Sequence, residues 1–167
     1  METLDKSNLD TSKTAAAQTA KEACDYLLKT FSFVPDDKLN WSPSESARSA
    51  LQQVAHCALA NEFFAELIRN RPVELPVDLS GFRDFQRKME AEFTDRQSAA
   101  DRLASSTDVV VRAISDVDES LYSQSPSSPF GPQPMEFWMH LAGAHMRSHA
   151  SQLDYLQTIW GDTQDHF

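Results

Sequence analysis

The stretch Trp138-Met139-His140-Leu141-Ala142-Gly143-Ala144-His145-Met146-Arg147-Ser148-His149-Ala150-Ser151-Gln152-Leu153-Asp154-Tyr155-Leu156-Gln157-Thr158-Ile159-Trp160 decides the fold. Within it Trp138, Ala142, His145, His149, Leu153, Leu156 and Trp160 follow one another at steps of three and four, the spacing of one helix face. The stripe predicts a long helix that starts near Gln133 or Pro134 and stops at Gly161, a residue suited to the left-handed position beyond a helix end. That face is apolar except for two histidines.

Working outward, residues 123–134 are rich in Ser, Pro and Gly and read as a loop. Before them, Ala100, Leu103, Val110, Val111 and Ile114 mark another long helix, with Thr94 as its expected cap and Gln97 at the third position. The β-branched run Val109-Val110-Val111 is read as helix, because its flanks are helical and no partner strand is evident. Phe82, Phe85 and Met89 predict a short helix over Leu79–Phe93. A further long helix is expected to follow Ser42-Pro43-Ser44-Glu45, with Ser42 as N-cap, Pro43 as first residue and Glu45 completing a capping box. It would run to about Asn70, with Pro72 and Pro76 in the connection beyond. The first helix is expected from Ser12 or Thr14 through Leu27, Leu28 and Phe31 to Pro35. Residues 1–11 are polar and aperiodic and read as a flexible tail. Four long helices over 12–162 predict a single all-α domain, a four-helix bundle.

The composition agrees. The chain has 167 residues, enough for one core, and only four glycines. A net charge of −10 with scattered basic residues argues against nucleic-acid binding. No apolar run reaches the ~20 residues that span a bilayer, and the N-terminus has no signal-peptide pattern, so no membrane partner is expected. The two cysteines, Cys24 and Cys57, are expected to be free thiols in a reducing cytoplasm.

Five histidines are present. His145 and His149, four apart, lie about 40° apart on the inward face, one turn above the other. His56 lies on the second helix among Leu59, Ala60, Phe63 and Leu67. Burying imidazoles without partners is costly. Two readings follow. The rings are core residues satisfied by hydrogen bonds, or His56, His145 and His149 give their lone pairs to one metal ion and leave a position open. His140 is turned about 140° from His145, and His166 follows the helix stop, so both are left out. No HExxH motif is present.

Two stretches carry a family likeness. One runs from Phe31 through Val34-Pro35-Asp36-Asp37-Lys38-Leu39-Asn40-Trp41-Ser42-Pro43 to Arg48-Ser49 and Val54-Ala55-His56. The other joins Pro129-Phe130-Gly131 to His145-Met146-Arg147-Ser148-His149-Ala150-Ser151-Gln152 and Trp160-Gly161-Asp162. In these the chain resembles the DinB/YfiT-like metalloenzyme family, within the DinB superfamily. The resemblance implies a DinB/YfiT-like four-helix bundle in which His56, His145 and His149 bind a divalent transition metal such as zinc or nickel. Where many members read His-Arg-Gly-Gln, this chain has His149-Ala150-Ser151-Gln152, so any role of that arginine is absent.

The resemblance implies metal-dependent chemistry, either S-transfer with a low-molecular-weight thiol or hydrolysis of a small-molecule substrate, and a homodimer. The competing expectation is a non-catalytic, stress-related bundle with a structural metal. No general base is assigned: Glu62 and Asp154 are expected at the surface. Gln152 is read either as a hydrogen-bond support for the site or as an exposed glutamine. Cys57 is read as a small buried hydrophobe.

Overall fold

The computed structural model describes residues 6–71, 73, 78, 81–164 and 166. Residues 1–5 of the expected tail, Pro72, Pro76 and Leu79 lie outside the described residues. The elements are α1 (Lys6–Ser32), a 3-10 turn at Asp36–Lys38, α2 (Ala50–Ile68), α3 (Phe82–Glu90), α4 (Arg96–Ser115), α5 (Glu119–Tyr122) and α6 (Met135–Ile159). Among the described residues there is no strand. No helix is long and apolar enough to cross a membrane.

α1 begins six residues or more before the expected Ser12 or Thr14. Residues 6–11 are therefore helix rather than tail, and Leu9 is buried on the same face as Ala16, Ala20, Ala23, Leu27 and Phe31. The end of α1 is held by Arg96, which donates to the carbonyl oxygens of Phe31, in its last turn, and Val34, just beyond it.

α2 starts at Ala50, seven residues after the expected Pro43. Ser42 does not cap it, because its hydroxyl donates to the carbonyls of Ser44 and Ala47 and closes a turn. The working capping box is Ser49 with Gln52: Gln52 N–H donates to Ser49 Oγ at 3.3 Å, and Ser49 N–H donates to Gln52 Oε1 at 3.1 Å. α4 is capped by Asp95 rather than Thr94, its carboxylate accepting from Ser98 N–H at 2.8 Å. Val109, Val110 and Val111 are helical. α6 begins after Pro134, and Gly161 adopts φ +94°, the expected terminator.

The four long helices close a ring in the order α1, α6, α2, α4, so the sequence neighbours α1 and α2 stand diagonally. α1 and α6 approach closely at Gly143. A Cβ there would lie 2.8 Å from Thr19 Cγ2 and 3.1 Å from the Thr19 carbonyl carbon.

The core falls into two apolar clusters. One gathers Leu27, Phe31, Leu51, Val54, Leu103 and Leu153; the other Leu67, Ile68, Ile114, Met135, Trp138 and Met139. Between them, at mid-height of α2 and α4, lies a polar belt. Asn61, fully buried, donates to Thr107 Oγ1 at 3.1 Å, and Thr107 donates to the Leu103 carbonyl at 2.8 Å. The histidines of α2 and α6 stand beside this belt. Trp41 packs edge-on against Trp160, with ring centroids 5.6 Å apart, at the edge of the first cluster.

Candidate metal centre

His56 comes from the middle of α2, and His145 and His149 from successive turns of α6. The facing of these two helices brings the three rings together. Centroids are 5.1 Å apart for His56 and His145, 4.9 Å for His56 and His149, and 4.6 Å for His145 and His149. One nitrogen from each ring lies within 4.8 Å of the others. Among the described residues no cysteine, aspartate or glutamate joins them as a fourth candidate ligand.

The outward nitrogens are held. His56 Nδ1 bonds Glu90 Oε1 at 3.0 Å, and His149 Nδ1 bonds Gln53 Oε1 at 2.8 Å. An oxygen on each Nδ1 places the proton there and leaves Nε2 with a free lone pair, as metal-binding histidines require. His145 Nδ1 is buried and has no hydrogen bond among the described groups. Such an orphan is costly, and an ion that takes a lone pair from the ring offers one means of satisfying it.

Glu90 closes α3 and is fully buried. Arg48 clamps it, donating from Nε to both oxygens at 2.9 Å and from Nη2 to Oε1 at 2.7 Å. Burial works to raise its pKa, but the bonds and charges of His56 and Arg48 outweigh that and hold Glu90 below the usual carboxylate range. The histidines respond the other way. Burial, then the charge effects of His56 and Arg48, push His145 down to about 4. Burial, then His145 and His56, push His149 down to about 3. Both rings are therefore neutral ligands at neutral pH. The donor set fits a divalent ion: three clustered imidazoles, two of them fixed in tautomer by a glutamate and an amide.

The structure brings together the three histidines singled out from the sequence and keeps the other two apart from them. His140 Nε2 meets Ser12 Oγ at 3.2 Å, and His166 stacks on Phe33 and bonds Asp162. Glu62 pairs with Arg102 at 2.7 Å, and Asp154 accepts from Tyr26 at 3.0 Å, and neither joins the histidine cluster. Cys57 is fully buried, and burial pushes its thiol far up, as suits a packing residue. Gln152 is exposed, and the supporting glutamine is Gln53, one turn before His56. Gln53 carries a visible signal, a polar residue on the apolar face of α2. Glu90 has no local signal, since its partner His56 is 34 residues away.

Beside His56 and His145 opens a cavity of about 370 Å³ with largely aromatic walls. A second cleft, of about 500 Å³, is bordered by Arg48, Gln53, Arg87 and Gln152.

Comparison with family models matches the DinB superfamily over residues 19–153, which spans α1 to α6 and all three histidines. The chain belongs to the DinB superfamily. The all-helical fold expected for a DinB protein is thus present, with a histidine group able to bind a metal. Comparison of this DinB chain with curated proteins returns no match.

Proposed function

We propose that the protein is a metal-dependent enzyme that uses His56, His145 and His149 to hold a divalent transition ion, and that its chemistry is S-transfer from a low-molecular-weight thiol. The observation that carries the reading is the open triad: three clustered imidazoles, two of them with supported outer nitrogens, no fourth ligand among the described residues, and a cavity at two of the rings. A structural ion is ordinarily enclosed by four protein ligands, whereas a catalytic one keeps a position for solvent or substrate.

A divalent ion supplies Lewis acidity there, lowering the pKa of a bound water or thiol. The residues of the chain favour the thiol. Hydrolysis also calls for an acid at the leaving group, and the Glu90 carboxylate beside His56 has both oxygens committed to Arg48. A thiol, with an ordinary pKa of about 8.5 against about 15.7 for water, would need a smaller shift from a bound ion to ionise at neutral pH, its proton passing to solvent. Arg48 and Glu90 orient His56, Gln53 orients His149, and aromatic side chains wall the cavity beside the triad.

The test is elemental analysis of untagged protein beside the double variant His145→Ala/His149→Ala. The expected result is about one equivalent of transition metal in the wild type and none in the variant. Wild type that stays empty after incubation with zinc or nickel overturns the reading.

A further inference from the structure

α3 is amphipathic, yet its apolar residues do not join either core cluster. Phe82, Phe85 and Met89 recur at steps of three and four, are half-buried, and line the cavity at the histidines. What docks α3 is polar: Glu90 on Arg48, Arg87 on Gln52 at 3.0 Å, and Arg83 and Arg87 on the Ser46 carbonyl. The apolar face of the helix therefore fills no core and instead forms one wall of a chamber. Phe63 and Phe64 of α2 form another wall. Phe130, 56% exposed, reaches over from the loop before α6, 5.7 Å from Phe82 and 6.3 Å from Phe63 between ring centroids.

Among the described residues the lining contains no Lys, Arg, Asp or Glu, and its polar groups are His56, His145 and Gln86. Away from the triad, a charged group would lose its hydration with no opposite charge among the described lining residues to replace it. An apolar cavity of roughly 150 Å³ accepts one benzene ring, so about 370 Å³ gives room for roughly two rings. Exposed aromatic edges around a concave site are the usual make-up of a small-molecule pocket.

We propose that this chamber seats an uncharged aryl group, up to two rings in size, of the substrate whose reacting atom meets the triad. The proposal rests on the metal reading above, and it narrows the electrophile to neutral aromatic compounds.

The test uses the full chain loaded with cobalt(II), whose visible spectrum reports a ligand entering the coordination sphere. Imidazole, 4-phenylimidazole and 4-carboxyphenylimidazole are titrated in turn. The phenyl compound is expected to bind about 30-fold or more tighter than imidazole, from the ring area removed from water. The carboxylate should erase that gain. In Phe82→Ser/Phe85→Ser, whose native side chains are half-buried, the phenyl advantage is expected to fall about tenfold, with imidazole affinity unchanged. Imidazole binding with no phenyl advantage in the wild type overturns the chamber assignment and leaves the metal reading standing. Failure of cobalt to bind at all overturns the metal reading, and the proposal falls with it. Because the wild-type comparison decides the question, a variant that does not fold leaves the conclusion intact.

Discussion

Replacing Glu90 by Gln isolates the charge behind His56. The glutamine can keep one oxygen toward His56 Nδ1, now bonded at 3.0 Å. Its amide nitrogen must then face Arg48 Nε, which presently donates to both carboxylate oxygens at 2.9 Å, so a donor meets a donor. Breaking one side of a buried ion pair costs about 3–5 kcal/mol. Arg48 is 22% exposed and regains some water, so the lower end applies, about 3 kcal/mol of stability. Metal affinity should fall separately, because a carboxylate behind a ligating histidine raises its basicity, an effect worth 10- to 100-fold. The other two rings are untouched, so the expected loss is about tenfold, or ~1.4 kcal/mol. Competition with a chromophoric zinc chelator reads the affinity, and urea unfolding in excess chelator reads the stability. Glu62→Gln, which disturbs only the surface pair with Arg102, serves as the control. If Glu90→Gln lowers stability yet binds zinc within about twofold of wild type, Glu90 is scaffold alone and its assignment to the metal centre is refuted.

Two further outcomes follow from the same structure. The folded pKa values of His145 and His149, about 4 and about 3, lie below the ~6.5 of an unfolded histidine, so below pH ~6.5 the unfolded chain binds more protons. Metal-stripped protein should therefore lose stability as pH falls from about 6.5 toward 4, at up to ~2.7 kcal/mol per pH unit with both rings contributing. Equal urea midpoints at pH 7, 6 and 5 would contradict burial of neutral rings. Gly143→Ala should destabilise by about 1–2 kcal/mol, since the clash with the Thr19 and Ala20 backbone outweighs the gain in helix propensity. A more stable Gly143→Ala protein in thermal unfolding would show that α1 and α6 part more easily than their packing implies.

What was legible in the sequence was what repeats along one helix. The stripe from Trp138 to Trp160 states both the inward face of α6 and the histidines on it, because a 3.6-residue period is a local property. Helix starts were harder to read. Ser42 and Ser49 each head a box pattern, and the choice between them turned on Ser42 closing a turn onto Ala47. The start of α1 was missed because residues 6–11 are polar apart from Leu9, which packs through tertiary contact. The partners of the histidines were least legible. Glu90 reaches His56 only because α3 folds back along α2, and nothing near Glu90 in the chain announces that path.

The belt of Asn61, Ser106 and Thr107 has a consequence for how the helices are indexed. Interfaces built from Ala and Leu have near-equivalent packings one turn apart, about 5.4 Å along the axis. Sliding α4 past α2 by that step would move Thr107 away from Asn61 and leave a buried amide facing methyl groups. The belt thus acts as a detent: engaged, it satisfies the Asn61 amide nitrogen, and it blocks neighbouring settings. Because His56 lies just over one turn before Asn61 on α2, the detent that sets α4 against α2 also fixes the height at which α2 presents its histidine.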